Sequence, residues 1–350
     1  MSTQNKFNLV IYGAGAIGTT LAVWLTNNGN NVSLLARPER ARELEQKSIG
    51  IIDGNDVISK NTKLRIIDKL DPREPIDCLI VTVKNFNLEQ ACQDISQSIG
   101  RKTLILGLQN GVVNQKILPR YFDNIIYAII NYNAWSTDAH RNLPRSHWQV
   151  NINGPIILGT LDNQLQEKTQ QLAELFSSFI DCQSSREFQD DAHAKLVANL
   201  GNAVTTIVGN SHHQSSSLAP LQRVFTQLTH EAVKTLKAAG FSESQTSLLP
   251  SWTLIGLSVC IPSILTRPIF RRKLALIGST SMASDILVKG EGISELEYIN
   301  GYLVSLAEKH QVKAPYSKKL YQLCQERFSQ KPFLPITAQQ LAGYLDGKSL

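Results

Sequence analysis

At 350 residues the chain is long enough for two domains of ordinary size, and with 42% hydrophobic and 18% charged residues its make-up is that of a globular protein. A net charge of +6, without any long Lys/Arg block and with only 7% aromatic residues, suits a small anionic ligand and argues against nucleic acid. The start, Met1 to Phe7, lacks a secretory apolar core. The longest apolar stretch, Trp252 to Leu265, holds Pro262 and is too short to span a bilayer, so stable membrane insertion is excluded.

In chain order, the first apolar run, Phe7 to Tyr12, flows into Gly13-Ala14-Gly15-Ala16-Ile17-Gly18 and then into a helical pattern over 17–27. This is the dinucleotide fingerprint in its proper setting of strand, tight turn and helix. Gly13 serves the turn, Gly15 the approach of backbone to a pyrophosphate, and Gly18 close helix–strand packing. The helix start offers free N–H groups to phosphate. A second apolar run, 32–36, ends at Arg37, where a site for NAD would usually carry an acid; a basic residue suits the 2′-phosphate of NADP(H).

Further strands are expected at 64–67, 77–83, 103–108 and 125–130, with helices at 38–46 and 87–98, an alternation that implies a parallel sheet covered on both faces. The stretch 48–67 reads as a small β excursion around Asp53-Gly54-Asn55, and 145–160 reads as strands before a helix at 164–179. From Asp190 the pattern becomes helical: 191–208, 218–239, 244–265 with a proline break, 280–288, 293–309 and 315–327. The fold class is therefore α/β: a Rossmann-type dinucleotide-binding domain over 1–187, followed by an all-helical domain over 188–350. The block 252–265 reads as a buried helix or helix pair, either core or a homodimer contact, with a membrane-surface or partner-docking role as the alternative. The tail after Gln330 reads as a docked extension or a partly mobile one.

Ligands of open α/β sheets bind beyond the carboxyl ends of the strands. Past the predicted strands stand the glycine turn, Arg37, Lys84, and Gln109-Asn110-Gly111, with Lys84 and Asn110 toward the nicotinamide end. In the helical half, Lys195, Asn199 and Asn202 fall at i, i+4 and i+7 on an otherwise apolar helix and share one face. A lysine on such a face is costly to bury and, desolvated, becomes a better proton donor. A third group is Ser281 and Met282, then Glu295, Tyr298 and Asn300, with Glu295 and Tyr298 on a helix starting near Ile293. The cysteines, Cys78, Cys92, Cys182, Cys260 and Cys324, are scattered without a CxxC pair, which points to a reduced, cytoplasmic protein with inert core thiols. The histidines show no metal spacing; His212-His213 read as a polar loop, and no metal site is expected.

With these segments in hand, the chain resembles the ketopantoate reductase (2-dehydropantoate 2-reductase) family over nearly its whole length. The supporting segments are Gly13–Gly18 with Arg37, Val81-Thr82-Val83-Lys84, Gln109-Asn110-Gly111, Lys195-Leu196-Val197-Ala198-Asn199, Ser281-Met282 with Asp285, and Glu295-Leu296-Glu297-Tyr298-Ile299-Asn300-Gly301. The resemblance implies NADPH-dependent reduction of 2-dehydropantoate to (R)-pantoate, in the route to pantothenate and coenzyme A, with the active site between two domains. It implies Lys195 as proton donor, Glu295 and Ser281 on substrate, Asn110 at the nicotinamide and substrate end, Lys84 beside it, and Asn199 as the first of two asparagines on the lysine helix. Ala203 stands where the second is common, and Asn202, one position earlier, is its stand-in. The segments 131–135 and 247–292, the latter including Lys289-Gly290-Glu291-Gly292, also depart from the pattern. The alternatives are a reductase of another bulky or branched 2-oxo acid and a non-catalytic NADP-binding regulator.

Overall fold

The computed structural model describes residues 6–45, 49–53, 56–61, 64–136, 147–209, 214–246, 249–275, 280–290 and 292–349. His212, His213, Gly54, Asn55 and Glu291 lie outside the described residues. The chain divides into two compact units, Met1–Phe188 and Gln189–Leu350.

The first unit contains twelve strands among its described residues: β1 (Asn8–Tyr12), β2 (Asn31–Leu35), β3 (Ile49–Asp53), β4 (Asp56–Asn61), β5 (Arg65–Ile67), β6 (Cys78–Val81), β7 (Leu104–Gly107), β8 (Asn124–Ile129), β9 (Tyr132–Ser136), β10 (His147–Ile152), β11 (Ile156–Gly159) and β12 (Cys182–Ser185). Eight form one sheet in the order β12-β11-β8-β7-β6-β1-β2-β5. From β8 to β5 every pairing is parallel, and β11 joins antiparallel to β8. The central strands β6 and β7 are buried at every position, as expected of parallel strands covered on both faces. Helices α1 (Ala16–Asn27), α2 (Pro38–Glu45), α3 (Leu88–Ile99), α4 (Asn114–Ile117) and α5 (Gln166–Ser177) connect them.

The excursion at 48–67 is half of a second sheet, ordered β4-β3-β10-β9, in which β3 pairs parallel with β10 nearly a hundred residues later. Sequence reading missed β9, an edge strand that pairs antiparallel with the next strand, β10. This sheet explains why α1 is buried from Gly18 through Leu25 rather than along one stripe. It packs between β1 and β2 on one side and β4 and β9 on the other. Trp24 stacks on Phe179 and meets Tyr132 edge-on, both at 5.4 Å between ring centroids, and the Thr20 and Tyr132 hydroxyls share a hydrogen bond.

All elements described in the second unit are helical: α6 (Phe188–Asn199), α7 (Gly201–Val208), α8 (Leu218–Ala238), α9 (Trp252–Ser258), α10 (Ser263–Ala275), α11 (Ser281–Ala283), α12 (Tyr302–Lys309), α13 (Pro315–Phe328) and α14 (Ala338–Leu345), with wide π turns at Ser284–Val288 and Glu297–Gly301. Buried Glu231 on α8 accepts hydrogen bonds from the backbone N–H groups of Tyr316 and Ser317 and from the Ser317 hydroxyl, at 2.8–2.9 Å, capping the start of α13. The tail docks: Ile336 N–H donates to Ile207 C=O, and α14, unexpected from sequence, packs into the core beside α8 and α13.

Three expectations need correction. The block 252–265 is a helix pair, but only Trp252 and Ile255 within it are buried. Leu254, Leu257, Ile261, Ile264 and Leu265 face solvent, because two short helices cannot each surround their apolar residues with core. Helix α9 begins at Trp252 rather than 244, the preceding chain being held as a loop by Asp191, which accepts from the hydroxyls of Ser244 and Thr246. Ile293 lies outside the helix that carries Tyr298, which begins at the π turn after Glu295.

Candidate active site

In the first unit, the strands carrying the four polar stations are neighbours, β7-β6-β1-β2, and all run the same way. Gly13–Gly18, Arg37, Lys84 and Asn110 therefore leave the sheet on one edge. Gly13 has φ +122°, open to glycine and strained for other residues, and a Cβ there would stand 2.9 Å from Thr82 Oγ1. At Gly18 a Cβ would be 1.9 Å from the Gly13 carbonyl oxygen. At Gly15 a Cβ would meet nothing within 4 Å, so packing among the described residues does not require a glycine here. No side chain caps α1, and no acid stands in its first turn. Its N–H groups and positive dipole end remain available to an anion.

The other stations brace this turn. Thr82 Oγ1 donates to the Gly13 carbonyl at 2.8 Å. Asn85 is buried and donates to the Asn110 carbonyl at 2.7 Å, joining the ends of β6 and β7. Gln109 donates to the Val81 carbonyl at 2.8 Å, and Asn114 donates to Gln109. Lys84 is half-buried, with Nζ 5.8 Å from the Phe86 ring centroid, while Asn110 and Arg37 are exposed. Thr82, Asn85 and Asn114 received no role from sequence. The only clue was their nearness to strand ends, since hydrogen bonds between loops leave no periodic trace. Ala14, Ala16 and Ile17 line the turn half-buried.

In the second unit, the helix expected over 191–208 is interrupted at Leu200, whose N–H bonds to Val197 in a tightened turn. The polar stripe survives. Between Asp191 and Val208 the residues with exposure are Lys195, Ala198, Asn199 and Asn202, at i, i+3, i+4 and i+7, and the rest are buried. Ala203 is wholly buried in the core, so Asn202 stands on the stripe and position 203 does not. Burial alone pushes the Lys195 ammonium below its ordinary pKa. His193, two residues earlier, is bonded to Tyr302 Oη at 2.9 Å and to the Gln189 carbonyl at 2.7 Å, and it anchors the helix.

Ser281 is exposed at the first position of α11, which packs on α7 through Met282. Glu295 is buried just before the second π turn. No hydrogen bond or ion pair among the described residues joins Lys195 to Glu295. One hydrogen bond ties the second π turn to the lysine helix, and one ion pair is local to the first π turn. Asn300 is buried in the π turn and donates to the Leu200 carbonyl at 3.4 Å, at the break between α6 and α7, while its Oδ1 finds no partner among the described residues. Asp285, fully buried in the first π turn, pairs with Lys289 at 2.9 Å. The two π turns lie close in sequence to Ser281 and Glu295. Among the described residues no group of acids, histidines and cysteines has the geometry to hold a metal ion.

A glycine cradle at the carboxyl edge of a parallel sheet, followed by a helical unit with a desolvated lysine, defines the class: a two-domain protein of the Rossmann dinucleotide-binding type. Profiles described as "Ketopantoate reductase PanE/ApbA" and "Ketopantoate reductase PanE/ApbA C terminal" match residues 9–163 and 187–327. The chain belongs to the ketopantoate reductase family of oxidoreductases. It is 22% identical to the 2-dehydropantoate 2-reductase of Lactococcus lactis over 328 residues, covering 90% of this chain and 96% of the relative. The Vibrio cholerae enzyme of that name is 22% identical over 324 residues, with the same coverage of both. Among solved structures, a D-mandelate dehydrogenase in a ternary structure with NADH and anilino(oxo)acetate superposes with a TM-score of 0.72 at 20% identity, covering 97% of this chain and 99% of that one. A ketopantoate reductase from Ralstonia eutropha matches with a TM-score of 0.72 at 20% identity, covering 92% and 99%.

Proposed function

We propose that the protein reduces a 2-oxo acid with NADPH, the substrate being 2-dehydropantoate and the product (R)-pantoate. The observation that carries this reading is the desolvated Lys195 on a polar stripe with Asn199 and Asn202, in a chain that also holds an uncapped glycine cradle. The backbone of Gly13, Ala14, Gly15, Ala16, Ile17 and Gly18 would hold the pyrophosphate, and Arg37 the 2′-phosphate. Lys84 and Asn110 would flank the nicotinamide. When bound, the cofactor supplies hydride to the keto carbon.

The remaining work falls to side chains. Lys195 donates a proton to the keto oxygen and offsets its growing negative charge. Desolvation weakens its hold on that proton, so it is a stronger acid than a lysine in water. Glu295 and Ser281 bind substrate hydroxyls, and Asn199 and Asn202 orient the carbonyl and carboxylate. The 1–187 segment acts as the cofactor domain and 188–350 as the substrate and catalytic domain.

A second reading, reduction of another bulky or branched 2-oxo acid, is favoured by the buried Ala203 and by the likeness to a D-mandelate dehydrogenase. One assay separates them: oxidation of NADPH, with NADH beside it, by the purified protein and a panel of 2-dehydropantoate, pyruvate, 2-oxoisovalerate and phenylglyoxylate. Selective turnover of 2-dehydropantoate is expected. Preference for a different acid moves the assignment to that substrate, and tight NADPH binding with no turnover of any 2-oxo acid would leave a non-catalytic binder.

A further inference from the structure

From Ser244 through Ser284 the chain contains no acidic residue, and it carries Arg267, Arg271, Arg272 and Lys273. Within it, Trp252–Ser258 and Ser263–Ala275 form the α9–α10 hairpin, each helix packing on α8. Trp252, Ile255 and Leu274 anchor its inner side. There Trp252 N–H donates to Glu243 at 3.1 Å, and Gln222 of α8 donates to the Ser263 carbonyl and the Thr266 hydroxyl at 2.9 and 2.7 Å. Its outer side holds Leu254, Leu257, Ile261, Ile264, Leu265 and Ile269, each 39–68% exposed. Leu254 and Leu257 share one face of α9 at i, i+3. On α10 the exposed aliphatics occupy the first turns, and Arg271, Arg272 and Lys273, all exposed, the last. Six aliphatic side chains in water beside an uncompensated cationic cluster form a surface that calls for a cover.

We infer that this hairpin is a peripheral docking surface for an anionic lipid bilayer, with its aliphatics in the headgroup–acyl boundary and its cations on the lipid charges. Charge complementarity selects the occupant. A two-fold contact with a second copy would bring two such cationic clusters into one interface with no acid in the segment to neutralise them. A cavity of about 650 Å³ in this unit is lined by Ser258, Val259, Ser263 and Thr266 with α8 and α14, and of the six aliphatics only Ile261 lines it. An apolar and basic face matches a deformable surface that supplies both acyl chain and negative charge. Attachment is superficial, since no described helix is long and apolar enough to cross a membrane.

The test is flotation of the full-length protein with phosphatidylcholine vesicles and with vesicles that also contain phosphatidylserine. Flotation is expected only with phosphatidylserine and should weaken with added salt. The double substitutions Ile264→Ser/Leu265→Ser and Arg271→Gln/Arg272→Gln should each lower the bound fraction by about tenfold or more. Their side chains are exposed, so melting curves and NADPH binding should match the unaltered protein. Absence of flotation with anionic vesicles, or flotation that both double variants leave intact, overturns the inference. If instead light scattering shows a dimer that Ile264→Ser/Leu265→Ser splits, the face belongs to a second copy. If vesicles fail and an acidic Leu/Glu amphipathic peptide binds, it belongs to a protein.

Discussion

In the proposed reaction Lys195 is the proton donor, and its environment sets two opposed expectations. As a proton donor it works only when protonated. Turnover should therefore fall as pH rises through its pKa, and that limb should lie below the ordinary lysine value of 10.5 because burial disfavours the ammonium. Lys195→Ala should cost about 10²- to 10⁴-fold in kcat, remove that limb from the pH profile and leave NADPH binding intact. Near-normal turnover in this variant would end the proton-donor assignment. Stability runs the other way. Below the folded-state pKa both states hold the proton, and the folded state bears the full desolvation cost; that cost fades as pH climbs from the folded toward the unfolded pKa. Lys195→Met should therefore melt higher than the unaltered protein at neutral pH, which a calorimetric scan reads directly. In the first unit, Arg37 is exposed. Arg37→Ala should weaken NADPH by about 10- to 100-fold, the worth of a charge-assisted bond, and leave NADH nearly unchanged, as titration calorimetry with both cofactors would measure. Equal losses for both would refute the 2′-phosphate role.

At the scale of elements, the turn from β1 into α1 separates fold from ligand. Gly18→Ala places a Cβ 1.9 Å from the Gly13 carbonyl oxygen, and Gly15→Ala places one in open space. The first should lower the melting temperature and abolish dinucleotide binding together. The second should melt normally yet bind NADPH at least tenfold more weakly, since the added methyl group stands where the pyrophosphate approaches. Unweakened binding by Gly15→Ala would move the phosphates elsewhere. In the helical unit, the break at Leu200 and the two π turns mark where regular hydrogen bonding yields to side-chain placement. Asn300 spans that irregularity by bonding to the Leu200 carbonyl. It is visible as a motif residue in the sequence, but its partner lies a hundred positions away and follows no period.

For the molecule as a whole, burial decides which thiols react. Cys78, Cys92 and Cys182 are buried with pKa values pushed up to about 12 by desolvation, and Cys324 is pushed higher still. Cys260 is exposed in the link between α9 and α10, contrary to the expectation of five inert core thiols. A thiolate reagent at neutral pH should label one cysteine in the native protein and five after unfolding, with mass spectrometry placing the first label at Cys260. Labelling of Cys92 or Cys182 in the native state would contradict the packing described for the first unit.

The parts that sequence alone determined are those written in local repeats: the glycine cradle, the alternation of strand and helix to Gly107, and the Lys195–Asn199–Asn202 stripe. Each depends on residues within a few turns of one another, so spacing and apolar periodicity carry the information. Tertiary structure decided what depends on distant partners. The β3–β10 pairing creates a second sheet and buries α1 on two sides. Ala203 falls in the core while Asn202 remains on the stripe. The apolar hairpin at 252–275 carries a strong hydrophobic signal that sequence reads as interior. Whether such a run is buried depends on how much neighbouring surface the fold supplies to cover it, and here the fold buries Trp252, Ile255 and Leu274 and half-covers Phe270.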